Sequence, residues 1–427
     1  MRADEILGTL HRELYAELTE RVLPFWTGTA LDSANGGFVG AIDAHGDVVA
    51  NAAKSAILNS RILWTFSAAL RTLGGDAMAA ATDRAEKYFK AHFLDPAFGG
   101  VFWMVDKHGR ALDSRKLVYA QAFAIYALAE HYRATGNVAS LEDAVGIFRL
   151  IEAYAHDPLN GGYQEAFSRE WKLLADARLS DVDRDAPKSM NAHLHLLEAY
   201  TVLFRVWRST LLRERLIELV ELFLGRIIAP HGRSVQAFFD ERWVAMNDPI
   251  SFGHDIETSW LLCEASAALG DSDLDARVRR ASLRIATAVL DNGFDRAHGG
   301  IYAARRLDGA LVTDKEWWPQ AEAIVGFVRA YDDSGDERFL DAAYATWSFA
   351  RDQIRDLEQG EWRWRVTRDG TPIPGREIVG PWKCPYHHAR ACLEIIARAG
   401  AQPGIGADTR TPIIPYRPRD GERSAHP

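Results

Sequence analysis

An imidazole has an ordinary pKa of about 6.5, so histidine is the side chain best suited to give and take a proton at neutral pH. The stretch Pro249-Ile-Ser-Phe-Gly-His254-Asp-Ile-Glu257-Thr-Ser-Trp260 loads titratable groups onto the start of a helix that soon turns apolar. His254 and Glu257 lie three apart and share one helical face. In Lys188-Ser-Met-Asn191-Ala-His193-Leu-His195-Leu-Leu-Glu198, Asn191 and His195 share a face, whereas His193 and His195 point about 200° apart and cannot chelate one ion together. Two further stretches, Glu316-Trp317-Trp318-Pro-Gln-Ala-Glu322 and Gly380-Pro-Trp382-Lys-Cys-Pro-Tyr386-His387-His388, join the single residues Arg61 and Tyr119. No metal-ligand spacing such as HExxH occurs, so no metal is expected. Two neutral imidazoles on opposite faces of an acidic carbon could remove a proton from one side and replace it from the other, inverting that carbon. In a sugar the acidic position is C2, beside the aldehyde of the open-chain form. Arg61 would stabilise the enediolate oxygens, and tryptophan faces would stack on the ring.

These residues need elements that bring them together. Helical periodicity marks about twelve segments, near 4–23, 51–73, 77–93, 116–135, 138–155, 188–207, 210–229, 253–270, 273–290, 315–334, 337–354 and 382–399. Short polar turns such as Thr135-Gly136-Asn137 follow the even-numbered segments, and long loops follow the odd-numbered ones. The long loops resemble one another: Asn35-Gly36-Gly37, Phe98-Gly99-Gly100, Asn160-Gly161-Gly162, His298-Gly299-Gly300 and, degenerately, Gln359-Gly360-Glu361. Several continue into a second turn such as Lys107-His108-Gly109-Arg110, the pattern of a small β-hairpin. The fourth copy, Ser234 to Trp243, has lost the glycine pair. A unit recurring about every 60 to 70 residues, unable to bury its own apolar face, predicts an all-α (α/α)6 barrel over residues 1–400. That geometry puts the long loops and the starts of the even-numbered segments at one mouth. Any one of the singled-out residues reads more readily as packing; six sets at the same relative position argue for a site. Residues 401–427, rich in Pro, Gly and Arg, read as a disordered tail.

The composition narrows the partners. A 48% hydrophobic chain of 427 residues can build a sizeable core, and a net charge of -9 with both signs interspersed recommends neither nucleic acid nor an anionic membrane. Three cysteines without ligand spacing, an acidic N-terminus and no run of about 18 apolar residues predict a reducing, cytoplasmic setting without a membrane span. A small-molecule sugar partner, no cofactor, and a monomer or homodimer are expected.

Gly253-His254-Asp-Ile-Glu257, Lys188-Ser-Met-Asn191-Ala-His-Leu-His195, Trp317-Trp318-Pro-Gln-Ala-Glu322 and Gly380-Pro-Trp382-Lys-Cys-Pro-Tyr-His387 resemble the N-acylglucosamine 2-epimerase superfamily, and within it the cellobiose 2-epimerases. The likeness covers nearly the whole chain to about residue 400. It implies an (α/α)6 barrel and metal-independent epimerisation through a cis-enediol. By position it makes His254 and His387 the general acid/base pair, with His195 assisting ring opening. It assigns Arg61, Tyr119, Asn191, Glu257 and Trp382 to the sugar, with Trp317, Trp318, Glu322 and the loop residue Asp183. Ala192 and His388 depart from the usual cellobiose 2-epimerase pattern, and free mannose and glucose stand beside β-1,4 disaccharides as expected substrates. Competing readings are a glycoside hydrolase on the same barrel, which would need two carboxylates flanking a glycosidic bond, and a non-catalytic sugar-binding protein.

Overall fold

The computed structural model describes residues 2–180 and 184–400. In chain order, α1 (Ala3–Glu17) runs through a π turn (Leu18–Val22) into α2 (Leu23–Thr27). There follow α3 (Ala56–Leu73), α4 (Asp76–His92), α5 (Val118–Thr135), α6 (Val138–Tyr154), α7 (Met190–Val206) and α8 (Thr210–Leu222). The last five are α9 (Phe252–Leu269), α10 (Ser272–Asn292), α11 (Trp317–Ser334), α12 (Glu337–Phe349) and α13 (Tyr386–Gly400). Helices α3, α5, α7, α9, α11 and α13 pack side by side, and α13 returns against α3 to close the ring. The other helices form an outer layer.

The sequence explains which helix goes where. On α5 every residue from Val118 to His131 is buried, as a helix enclosed on all sides requires. On α10 the buried residues Leu274, Val278, Ala281, Ile285 and Val289 form one stripe, which suits an outer helix facing the core with one side only. Each inner helix from α3 to α11 is joined to the next outer helix by a tight turn; Gly136 ends α5 at φ 72, a left-handed conformation that favours glycine. All inner helices therefore run the same way, with their N-termini at one mouth.

Several inner helices start later than the periodicity suggests: at 56, 118, 190, 317 and 386 rather than 51, 116, 188, 315 and 382. The residues just before most of them are extended because they pair with the hairpin of the next unit. Lys54–Ser55 pairs with Met104–Val105, Lys116–Leu117 with Ala166–Phe167, and Lys188–Ser189 with Phe238–Phe239. Ile250–Ser251 pairs with Ala304–Arg305 and Lys315–Glu316 with Arg365–Val366, while an Ile42–Val379 bridge joins the last loop to the first. Ser55, Ser189 and Ser251 then cap α3, α7 and α9. Before α13, Pro385 disfavours helix at Cys384, so Trp382 sits in the approach to the helix and not on it.

The loops are held by a pairing the sequence reading overlooks. An aspartate precedes each glycine pair, and a buried lysine precedes the following inner helix. Lys54 meets Asp32 at 2.8 Å, Lys116 meets Asp95 at 2.9 Å, Lys188 meets Asp157 at 2.8 Å and Lys315 meets Asp295 at 3.1 Å. Lys54, Lys188 and Lys315 also donate to the carbonyls of Gly36, Gly161 and Gly299. In the last unit Lys383 pairs with Glu361 instead, at 3.2 Å. In the fourth, Ala229 takes the aspartate's place in the loop hydrogen-bond pattern, and Ile250 stands where the lysine would. The three cysteines are free and buried. Among the described residues no helix is long and apolar enough to cross a membrane.

Candidate active site

At the mouth the inner-helix starts enclose a cavity of about 280 Å³. Arg61, Tyr119, Asn191, His195, His254, Glu257, Glu316, Trp317, Trp318, Trp382 and His387 line it, with Leu179, Ser180 and Trp364, which the sequence reading does not single out. Glu322 stands behind His387 and does not line the cavity. Asp183 lies outside the described residues. Gly253 is required here: a Cβ would come within 2.5 Å of the Trp318 ring, so only glycine lets Trp318 lie beside His254. The Trp318 ring centroid is 4.9 Å from that of His254 and 5.6 Å from that of His387.

Two of the histidines are backed by carboxylates. His387 Nδ1 lies 2.7 Å from Glu322 Oε1, and His195 Nδ1 lies 2.9 Å from Glu198 Oε2. Glu322 already accepts from two obligate donors, Trp260 Nε1 on Oε2 at 3.0 Å and Arg390 Nη2 on Oε1 at 2.7 Å. Burial raises the Glu322 pKa, against which Arg390 and Trp260 favour its ionised form; the ionised carboxylate takes the hydrogen of the His387 bond from the imidazole, which leaves Nε2 as its basic atom. Burial alone would raise Glu198, but Arg390 and His195 outweigh it and hold the group at about 2. It is ionised at neutral pH, so His195 Nδ1 donates as well.

Among the described residues His254 has no such carboxylate. It occupies the first turn of α9, where the positive end of the helix dipole disfavours a cation. Burial, with His195 adding to it, lowers its pKa to about 4. Burial likewise takes His387 well below 6.5, with Arg61 and Arg390 contributing. Both are neutral bases at neutral pH. Burial, then repulsion from Glu322, pushes Glu257 up to about 7, so this carboxyl on the cavity wall exchanges a proton in the neutral range.

Arg61 is buried with its guanidinium 4.3 Å from the Phe123 ring centroid and 4.8 Å from that of Tyr386. It donates from Nη2 to Tyr119 Oη at 3.0 Å. Burial keeps Tyr119 protonated, with its pKa pushed up to about 12, so its own hydrogen remains for a ligand. Among the described residues, Arg61 Nε, Asn191 Oδ1 and Trp317 Nε1 are buried polar atoms without a protein partner. Native interiors rarely leave such groups unpaired, and all three belong to residues that line the cavity.

The remaining histidines of these stretches serve the fold. His193 accepts from the Tyr163 amide at 3.0 Å and contacts the Ser189 carbonyl at 2.7 Å, pinning a loop to α7. His388 lies 2.9 Å from Glu361 and stacks on Trp362. Ala192 is fully buried, and neither it nor His388 lines the cavity. Among the described residues Glu257, Glu322 and His387 form the one group able to gather three ligand atoms within 4.8 Å of one another. The Arg390 guanidinium already bridges the two carboxylates, 2.7 Å from each, so a cation stands there. Arg390, fully buried on α13, also binds Glu198 Oε1 and Tyr386 Oη through Nη1. The sequence reading misses Arg390 and gives Glu198 no role. The available signal was the i,i+3 spacing that pairs His195 with Glu198 and Arg390 with His387 inside otherwise apolar helices.

Residues 36–391 match the family model described as N-acylglucosamine 2-epimerase (GlcNAc 2-epimerase). The chain is 42% identical to a cellobiose 2-epimerase of Bacteroides fragilis, over 92% of this chain and 99% of that protein. It is 40% identical to a cellobiose 2-epimerase of Ruminococcus albus, over 90% and 98%. The solved structure of cellobiose 2-epimerase from Bacillus thermoamylovorans B4167 superposes with a TM-score of 0.88 at 38% identity, covering 92% of this chain and all of that one.

Proposed function

From the premise that this chain is an isomerase belonging to the N-acylglucosamine 2-epimerase family, we propose that it interconverts gluco- and manno-configured reducing sugars at C2. Its preferred substrate in this reading is a β-1,4 disaccharide of the cellobiose type. His195, with Glu198 behind it, assists opening of the sugar ring to the aldehyde. One of His254 and His387 then removes the C2 proton as a neutral base, and the electron pair left at C2 forms the C1–C2 double bond of a cis-enediolate. Arg61 and Tyr119 hydrogen-bond its oxygens, where charge develops. The other histidine, charged by a proton drawn from the exchangeable Glu257 carboxyl, returns that proton to the opposite face of C2, and the first histidine passes the proton it has taken back to Glu257. Glu322 fixes His387 and favours its charged form as it takes up the proton. The aromatic walls hold the sugar and keep water from the enediolate. No metal takes part in this scheme.

The observation that carries the reading is a single cavity bearing three histidines, two of them tied at Nδ1 to buried carboxylates, beside a buried arginine. A glycosidase would have no use for that set. Incubation with cellobiose, lactose, mannose and glucose in turn, with products identified by NMR, tests it. Cellobiose yielding glucosyl-mannose is the expected result. Release of free glucose from cellobiose, or no turnover of any of the four, would overturn it.

A further inference from the structure

Arg390 lies beneath the cavity without lining it, yet it meets the acidic partner of each backed histidine. Its Nη1 binds Glu198, the partner of His195; its Nη2 lies 2.7 Å from Glu322, the partner of His387, and 2.7 Å from Glu257 on the cavity wall. The three carboxylates come from α7, α9 and α11, and the arginine from α13, so one guanidinium ties four of the six inner helices at the same depth. Its plane is fixed from the sides, 4.8 Å from the Trp260 ring centroid and 4.3 Å from that of Tyr386. We propose that Arg390 is the positioning residue that couples the two histidine–carboxylate dyads, holding both imidazoles as Nδ1–H tautomers with Nε2 free for the substrate.

The charges support that role. Three carboxyls surround one guanidinium, and among the described residues no second Lys or Arg pairs with them. The cluster therefore accommodates protons, either on Glu257 or on the histidines as they act. Without Arg390, Glu198 and Glu322 would lose the cation that favours their ionised forms. A protonated carboxyl can donate to Nδ1, which would move the imidazole hydrogen to Nε2 and remove the base from the cavity. Lysine cannot substitute: an ammonium is a compact point charge, while the planar fork serves Glu198 from one nitrogen and Glu257 and Glu322 from the other.

The proposal rests on the epimerase reading for its kinetic consequence but not for its structural one. The test is ¹⁵N imidazole NMR of the unliganded full chain, with His195 and His387 assigned by His195→Asn and His387→Asn, in wild type, Arg390→Lys and Arg390→Met. Circular dichroism confirms folding of each. In wild type both histidines should show the Nδ1–H tautomer, and in Arg390→Lys at least one should shift toward Nε2–H. On cellobiose the Lys variant should lose on the order of 10²-fold in kcat, the scale of a misplaced catalytic group, with KM changed less than about threefold. Arg390→Met, if folded, should also move the acidic limb of the rate profile to higher pH, because one of the charges that, after burial, lower the His387 pKa is gone. Should Arg390→Met not fold, the Lys variant alone decides. Unchanged tautomers with unchanged kcat in a folded Arg390→Lys protein would make Arg390 a strut and overturn the proposal. A wild type inactive on every sugar would defeat the epimerase reading instead, and the tautomer result would still judge Arg390.

Discussion

Replacing Arg61 by lysine keeps the charge and removes the shape. The guanidinium lies beside the Phe123 and Tyr386 rings, donates to Tyr119 at 3.0 Å and belongs to a residue lining the cavity, where a planar fork can offer paired hydrogen bonds. An ammonium can neither stack as a plane nor make that paired contact. The loss is at least one hydrogen bond to a charged oxygen, about 1.5 to 3 kcal/mol, which corresponds to roughly 10- to 150-fold in kcat/KM. Because the enediolate is charged and the starting sugar is not, most of the loss should fall on kcat. The assay is steady-state epimerisation of cellobiose by wild type and Arg61→Lys, with thermal unfolding of both. A variant within twofold of wild type in kcat/KM at equal Tm would refute the assignment of Arg61 to the transition state.

Exhaustive treatment with EDTA should leave activity intact, since imidazoles carry the proton in this account; loss of activity restored by one divalent metal would sink that claim. The acidic limb of kcat/KM should fall below pH 6.5, toward the value of about 4 that burial gives His254, because both bases stay neutral as the pH drops through the ordinary histidine range. The sign for stability follows from the same shifts: unfolded histidines take up protons below pH 6.5 that the folded ones refuse, so stability should decline from there toward pH 4. Lys188→Met should destabilise the fold by about 3 to 5 kcal/mol by leaving the Asp157 carboxylate without its buried partner. Lys87→Met, which breaks the exposed pair with Asp83, should leave stability essentially unchanged by the same denaturation assay.

Much of this molecule can be read from its chain because the repeat is written in glycine. The Gly36-Gly37, Gly99-Gly100, Gly161-Gly162 and Gly299-Gly300 pairs mark the loops directly, and positive φ at these residues explains why the signal is strict. From the loops follow the inner helices, and from their starts follow the cavity residues. The pairings that hold the loops are less visible because their spacing varies. Lysine and aspartate are 22 residues apart in the first unit, 21 in the second, 31 in the third and 20 in the fifth. Arg390 is hidden for a related reason: its carboxylate partners are 192, 133 and 68 residues away, and only ring closure brings them within reach. The late helix starts are tertiary as well, since Lys54–Ser55 and its counterparts are extended through pairing with a neighbouring unit that local periodicity does not register.

The claim at the centre of this account is that two histidines act on opposite faces of one carbon. The most direct test follows C2 deuteration in D2O by NMR for wild type, His254→Asn and His387→Asn, each starting from cellobiose and from its 2-epimer. Wild type should incorporate deuterium at C2 as it inverts. Each folded variant should epimerise at least about 100-fold more slowly, the scale of lost general acid/base catalysis, and any residual exchange should favour opposite epimers in the two variants. Near wild-type epimerisation by both variants, or deuteration of the same single epimer by both, would contradict a two-base mechanism.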